Sequence, residues 1–305
     1  MTLANEPSAQ ALLDTIRQRV ADAARVPGLA ARHEAIFDVV PALKARIDGA
    51  FTDGAPDAQE ATACLREVFE AFKRVHAIAR LPYSPRLDAR YPYRDETLNP
   101  VFIVELRDPT QASSERATSR IEAVMPYVDA ALSEQNRGDA YRNTLHCRPI
   151  EPDDLRDPRE HVLVGERGAF AARHIHRGEC IGVYGGRLMS AAMFFTCVED
   201  SFVICANSGN SVAFVDGENV LAMANTSLAY DADGIPIAQA EHGYNLEAAS
   251  FDARSRCGRC FSIRAFFATE DIELGAELRW NYRYSPELVR HVFGEAYRRK
   301  DLHAG

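Results

Sequence analysis

The chain has 305 residues, 47% hydrophobic and 26% charged, enough to bury a full core as one or two globular domains. Its formal net charge of -9 argues against broad binding to nucleic acid or anionic lipid, which needs a basic face. No apolar run approaches the ~20 residues that cross a bilayer, so no membrane span is expected.

Seven cysteines, scattered and odd in number, suit a reducing compartment rather than a disulfide scaffold. The start, Met1-Thr2-Leu3-Ala4-Asn5-Glu6, lacks a basic n-region and an apolar h-region, so no cleavable signal peptide is expected.

The first part reads as helices. Leu12, Ile16 and Val20 recur every four residues, and Pro27-Gly28 ends the run. A second run carries Ile36, Val40, Leu43, Ile47 and Phe51, with Pro41 expected to kink it. The third, through Leu65, Val68, Phe69, Phe72, Val75 and Ala79, follows the helical period, and Asp57 with Glu60 forms a capping box before it. Pro82 to Tyr93 is rich in proline and tyrosine. It is expected to be a surface loop packed by its own rings, or else a partner site. Val101-Phe102-Ile103-Val104 reads as a strand, and Glu115 to Glu134 as one helix.

After Pro149 the apolar runs shorten and glycines punctuate them. His161–Val164, Cys180–Tyr184, Ser201–Ile204, Ser211–Val215 and Phe261–Phe266 read as strands, and the tail from Ser285 reads as helix. The expected organisation is a mainly helical domain over 1–150, a β-rich domain of several small sheets over 151–285, and a helical segment over 286–305. The fold class is α+β.

Four elements in the β-rich part carry candidate chemistry. Gly165-Glu166-Arg167-Gly168-Ala169-Phe170-Ala171 is a glycine-bearing turn, which either lets backbone approach a ligand or is a plain hairpin. Tyr184-Gly185-Gly186 places a ring with a polar tip at a strand end, in a channel or in the core. Asp216 to Asn225-Thr226-Ser227 ends on an amide that holds a ligand or caps a turn. Gly275-Ala276-Glu277-Leu278-Arg279-Trp280-Asn281-Tyr282 closes the series with the chain's single tryptophan. A fifth element, Cys257-Gly258-Arg259-Cys260, has the spacing of half a zinc site, without a second pair.

Together, in this order, the four elements resemble the SET family of protein lysine methyltransferases over residues ~160–285. The resemblance implies a pseudoknot that threads one segment under another. It implies S-adenosyl-L-methionine as cofactor and a protein substrate with an accessible lysine. By the same resemblance Tyr282 and Tyr184 are the catalytic tyrosines, and Tyr184 and Trp280 line the acceptor channel. Glu166, Arg167, Gly168, Ala169, Asn225, Thr226 and Tyr282 contact the cofactor, and Asn245 tucks beside Asn225.

The chain departs from the family at several places, among them Ala222 and Met223, where an arginine and an aromatic are usual. Glu166 and Arg167 separate two glycines where Gly-x-Gly is usual. Thr226 stands for a histidine, and Asn281 for an aspartate. These departures leave open a second reading, a SET-like module that docks a partner without turnover. The alanine- and arginine-rich usage suggests a bacterial source. The expected location is then the cytoplasm, or a host cell reached without a cleavable signal, with histones or other host proteins as targets.

Overall fold

The computed structural model describes residues 9–28, 30–36, 59–60, 62–63, 66, 80–109, 115–195, 197 and 200–294. The second helical run beyond Ile36 and most of the third, with the Asp57 cap, lie outside these residues. The first helix, Ala9–Ala24, forms as its periodicity predicts. Gly28, at φ +83, turns the chain into a second helical run over 30–36. Val20, Ala23 and Ile36 pack together as a small core of their own.

The rest is a mixed α+β body of four small sheets among the described residues. The largest ladder is a hairpin of β11 (Leu246–Ser255) and β12 (Cys260–Ala268), flanked by β2 (Ile103–Arg107) and β5 (Cys180–Val183). β12 is apolar at seven of nine positions and nearly all buried, as a central strand should be. Beside it, β6 (Gly186–Met189) lies between β1 (Tyr93–Arg94), which it pairs in parallel, and β8 (Phe214–Gly217). β7 (Val203–Cys205) pairs the other side of β8. The β6–β8 approach requires Gly186, where a Cβ would sit 1.8 Å from the Asp216 carbonyl oxygen. Two further pairs are β3 (Leu145–Pro149) with β4 (Arg167–Ala171), and β9 (Leu228–Tyr230) with β10 (Pro236–Gln239). The tail helix Pro286–Val292 packs on β10, and its Ser285 N-cap accepts from the Leu288 N–H.

Several expectations are corrected. The helix expected to run to Glu134 stops at Val128, with Pro126 in its last turn; a separate helix, Glu134–Arg142, starts on a Ser133 cap. His161–Val164 is not a strand. Pro158 opens a 3₁₀ helix, Pro158–Leu163, capped by Asp157, and β3 takes the place beside β4. The proline- and tyrosine-rich stretch is not a surface loop packed on itself. Tyr91 and Tyr93 are buried, and the Tyr91 hydroxyl donates to Val128 O and accepts from the Ile103 N–H. β1, β2 and β3 all precede residue 150 yet belong to sheets completed by later strands. The texture change near Pro149 therefore falls inside one continuous core.

One buried acid ties this stretch to the site. Asp88 accepts from the Val220 N–H at 2.8 Å and from the Tyr83 hydroxyl at 2.9 Å. Burial pushes its carboxyl up to about 6, against both hydrogen bonds. The folded state therefore holds this proton more tightly than the unfolded chain. The group's stabilising contribution is complete below about pH 4 and is lost as pH rises through about 6. Asp88→Asn carries no charge, keeps an oxygen for the Val220 N–H, and reverses the Tyr83 contact so that its Nδ2 donates to the hydroxyl oxygen. The variant is expected to gain about 2 kcal/mol on the wild type between pH 4 and pH 7 in urea unfolding. Parallel pH profiles would contradict the assignment.

Candidate active site

The site is built around one short segment. Residues 277–280 run through a slot between three other stretches. Leu278 donates its N–H to Ala169 O at 2.8 Å, and Trp280 donates to Asn225 O at 3.0 Å. Leu246 donates to Arg279 O at 3.1 Å. Arg279 bridges Asn225 and Trp280 bridges Leu246, both in parallel, while Glu277 bridges Phe170 antiparallel. Asn245 completes the slot with its side chain. Its Nδ2 donates to Glu277 O at 2.9 Å, and its Oδ1 accepts from the Arg279 N–H at 2.9 Å. A primary amide offers a donor and an acceptor side by side, as a neighbouring strand does.

A buried charge group locks this segment. Arg279 is fully buried. Its Nε donates to Glu277 Oε2 at 2.7 Å and its Nη2 to Glu160 Oε2 at 2.9 Å. Burial works against the charge, but the Glu160 hydrogen bonds and the Glu277 carboxylate outweigh it and raise the guanidinium pKa. The other Glu277 oxygen, Oε1, accepts from Asn225 Nδ2 at 2.8 Å. Asn225 is thus held from behind. Its carbonyl oxygen and second N–H remain as the amide's hydrogen-bonding capacity.

Asn225 faces a cavity of about 1040 Å³, whose walls also include Glu166, Arg167, Tyr184, Trp280 and Tyr282. That volume accommodates a nucleoside-sized ligand together with an alkyl chain. The rings form a run: Phe266 to Trp280 at 5.1 Å, Trp280 to Tyr282 at 4.9 Å, Tyr282 to Tyr284 at 5.4 Å. Tyr184 packs on Gly217, where any Cβ would meet the ring at 2.3 Å. The buried Trp280 Nε1 has no hydrogen-bond partner among the described residues.

Both tyrosine hydroxyls already donate to backbone. Tyr184 donates to Phe202 O at 2.7 Å and Tyr282 to Ala224 O at 2.8 Å. With the protons committed, each oxygen presents lone pairs, an acceptor for an amine N–H. Burial raises both phenol pKa values, with Tyr282 adding to the effect at Tyr184 and Tyr284 at Tyr282. Both therefore stay neutral near pH 7 and are poor candidates for a general base.

Not every motif residue reaches the cavity. Gly168 and Ala169 lie in β4 and are absent from the walls; Ala169 is fully buried in the core. Thr226 is buried beside the cavity, its hydroxyl accepting from Gln239 Nε2 at 2.6 Å. Asn245 clamps the threaded segment rather than lining the space. Asn281 is exposed and lines the cavity, its Oδ1 accepting from the Arg283 N–H at 2.7 Å. Sequence reasoning missed Tyr284, Tyr244 and Arg264 as cavity residues. Tyr284 was signalled by the alternation of rings at Trp280, Tyr282 and Tyr284; Arg264, inside an apolar strand, carried no signal for this role.

Cys257 and Cys260 sit exposed at the β11–β12 hairpin tip, and no third metal-type side chain joins them among the described residues. The one three-ligand group among those residues is elsewhere. His174, His176 and Asp271 lie around the Ile175–Ile272 bridge, with ligand atoms within 4.8 Å of one another. No helix among the described residues is long and apolar enough to cross a membrane.

No family model and no curated protein matches the chain. Solved structures do. A humanized mutant of the Chaetomium thermophilum Polycomb Repressive Complex 2 bound to the inhibitor GSK343 matches at 17% identity and a TM-score of 0.32, over 52% of this chain. The same fungal complex, apo and in an autoinhibited state, matches at 14% identity and a TM-score of 0.31, over 61% of this chain. ATXR5 in complex with histone H3.1 mono-methylated on R26 matches at 16% identity and a TM-score of 0.34, over 68% of this chain and 76% of that one. The chain spans only 17% and 20% of the two Polycomb chains.

Proposed function

We propose that this protein is a SET-type protein-lysine N-methyltransferase using S-adenosyl-L-methionine, with histones or other host proteins among its candidate targets. One observation carries the reading. Tyr184, Asn225, Trp280 and Tyr282, drawn from three separate stretches of sequence, converge on one cavity beside a threaded segment. The threading of residues 277–280 past Asn225 and Leu246 supports the pseudoknot.

The cofactor fits the donor set: Asn225 offers an anchored amide, and Glu166 and Arg167 offer polar wall beside it. When bound, S-adenosylmethionine supplies an electrophilic methyl group on a sulfonium. The protein's task is to present a neutral amine. A free lysine has a pKa of about 10.4, so deprotonation at pH 7 costs about 4–5 kcal/mol. Tyr184, Trp280 and Tyr282 give walls that disfavour the ammonium and lower that cost. The two phenol oxygens accept from the amine N–H groups and so aim its lone pair. Solvent takes the proton before the channel fills, so no side-chain base is required.

The second reading, a SET-like module that holds a partner without turnover, draws on Thr226, whose hydroxyl bonds Gln239, and on Gly168 and Ala169, which stand off the cavity. Calorimetry with S-adenosylmethionine separates the two, followed by transfer of labelled methyl to histones and a host lysate read by mass spectrometry. The wild type is expected to bind and transfer. Asn225→Ala is expected to bind about 10- to 100-fold more weakly, the loss of a hydrogen bond to a charged ligand group. A folded protein with no affinity for the cofactor would end the proposal, and an unchanged Asn225→Ala affinity would move the pocket.

A further inference from the structure

Of the cavity-wall arginines outside the scheme above, Arg80 donates to the Gly217 carbonyl and pairs with Asp216, and two others remain. Arg264, on β12, sits beside Tyr184, whose N–H donates to the Arg264 carbonyl at 2.8 Å. Arg283 follows Tyr282 directly and also lines the cavity. Its backbone is left-handed at φ +59, an unusual state for a residue with a Cβ, and is held by the bond to Asn281 Oδ1. Both arginines are therefore tied through the backbone to the two tyrosines, Arg264 to Tyr184 and Arg283 to Tyr282.

Neither guanidinium has an ion pair or side-chain hydrogen bond among the described residues. The contrast with other arginines of the same body is sharp. Arg279 holds Glu160 and Glu277, Arg156 holds two backbone carbonyls, and Arg94 pairs with Glu218. No ion pair links Arg264 or Arg283 to the cavity's own carboxylates, Glu166 and Glu247, among the described residues. Arg264 is half-buried, and Arg283 is exposed at the cavity's edge. Burial depresses the Arg264 pKa, and Arg283 depresses it further, so the two cations feel one another. A half-buried cation with a like charge beside it is unfavourable unless an anion completes the group.

We propose that Arg264 and Arg283 form a carboxylate subsite at the acceptor end, so that the preferred substrate carries an acidic side chain within a few residues of its target lysine. This rests on the methyltransferase reading for the lysine, while the subsite itself is a binding claim. Arginine forks match a carboxylate in two parallel hydrogen bonds, which gives both strength and direction. The net charge of the chain suits a basic partner, but the surface next to the reacting amine is locally positive.

The test uses the whole protein with fluorescent peptides that carry one lysine flanked by glutamate, alanine, arginine or phosphoserine. Anisotropy in the presence of S-adenosylhomocysteine reads binding, and mass spectrometry reads transfer. The glutamate peptide is expected to bind about tenfold more tightly than the arginine peptide. Arg264→Glu with Arg283→Glu is expected to invert that order, and Arg264→Gln with Arg283→Gln to abolish it, which separates loss of charge from loss of fold. Affinity for S-adenosylmethionine is expected to stay within about twofold in both.

A preference for the arginine peptide, or a glutamate preference that survives both variants, would overturn the subsite. So would a drop in S-adenosylmethionine affinity in the variants, which would give the arginines to the cofactor's carboxylate. Tighter binding of the phosphoserine peptide would overturn the carboxylate assignment in favour of phosphate. Selective binding without transfer to any peptide would sink the methyltransferase reading and leave the subsite standing.

Discussion

Tyr282→Phe is expected to lower turnover about 100- to 1000-fold while cofactor affinity changes by less than about twofold, the signature of one hydrogen-bonding group needed at the transition state. The substitution removes one oxygen and keeps the ring, so the contacts with Trp280 and Tyr284 survive. The oxygen has two jobs. It donates to Ala224 O, which fixes its position, and its lone pairs remain for the acceptor amine. Loss of the first costs about 1 kcal/mol of stability, visible in urea unfolding. In the proposed reaction, loss of the second removes the group that aims the amine. Because burial keeps the phenol protonated, the wild-type rate should follow the deprotonation of the substrate lysine, with no break from Tyr282 between pH 6 and pH 9. Turnover within about threefold of wild type would take Tyr282 out of the chemistry.

Some of this arrangement is legible in the sequence and some is not, for physical reasons. Local patterns are legible. The Ala9–Ala24 helix shows its period, β5 is a compact apolar run, and Ser285-Pro286 announces the tail helix. β11 is the longest strand among the described residues, yet it passes unread. Its inner face is Ala249, Phe251, Ala253 and Ser255, so the alternation is present while the large β-branched residues that mark a strand are missing. The break after Val128 is written in Ser133, but a capping residue stands out only when the preceding run ends clearly.

At the site, motif order brings out Tyr184, Asn225, Trp280 and Tyr282, which do share a cavity. It does not distinguish a wall residue from its neighbour in the strand. Glu166 and Arg167 line the cavity, but Gly168 and Ala169, which follow Arg167 in β4, do not. Nor does it show what holds the site together. The bonds from Glu277 to Asn225 and from Asn245 to the threaded segment join residues far apart in sequence, through a register that no local window contains.

That hidden scaffold carries the largest stability effect expected in this protein. Arg279→Met keeps the bulk of the side chain and leaves Glu160 and Glu277 buried without their cation. The cost is expected to be about 3–5 kcal/mol in urea unfolding, a large share of what a domain typically has. Trp280, next in sequence and the only tryptophan, gives the fluorescence signal. The effect should reach the cavity, because Glu277 released from Arg279 no longer holds Asn225 at 2.8 Å, and cofactor affinity should fall with stability.

Neutralising the acids separates the two effects. Adding Glu160→Gln and Glu277→Gln to Arg279→Met removes the unpaired charges, so most of the lost stability should return. The amide that Glu277→Gln introduces keeps a carbonyl oxygen that can accept from Asn225 Nδ2, so affinity should return with it. The recovery is the discriminating result, because a site whose stability depended on packing alone would not regain it from two changes that alter charge and leave volume nearly constant. A loss below about 1 kcal/mol for Arg279→Met would show that the triad is not what fixes the threaded segment.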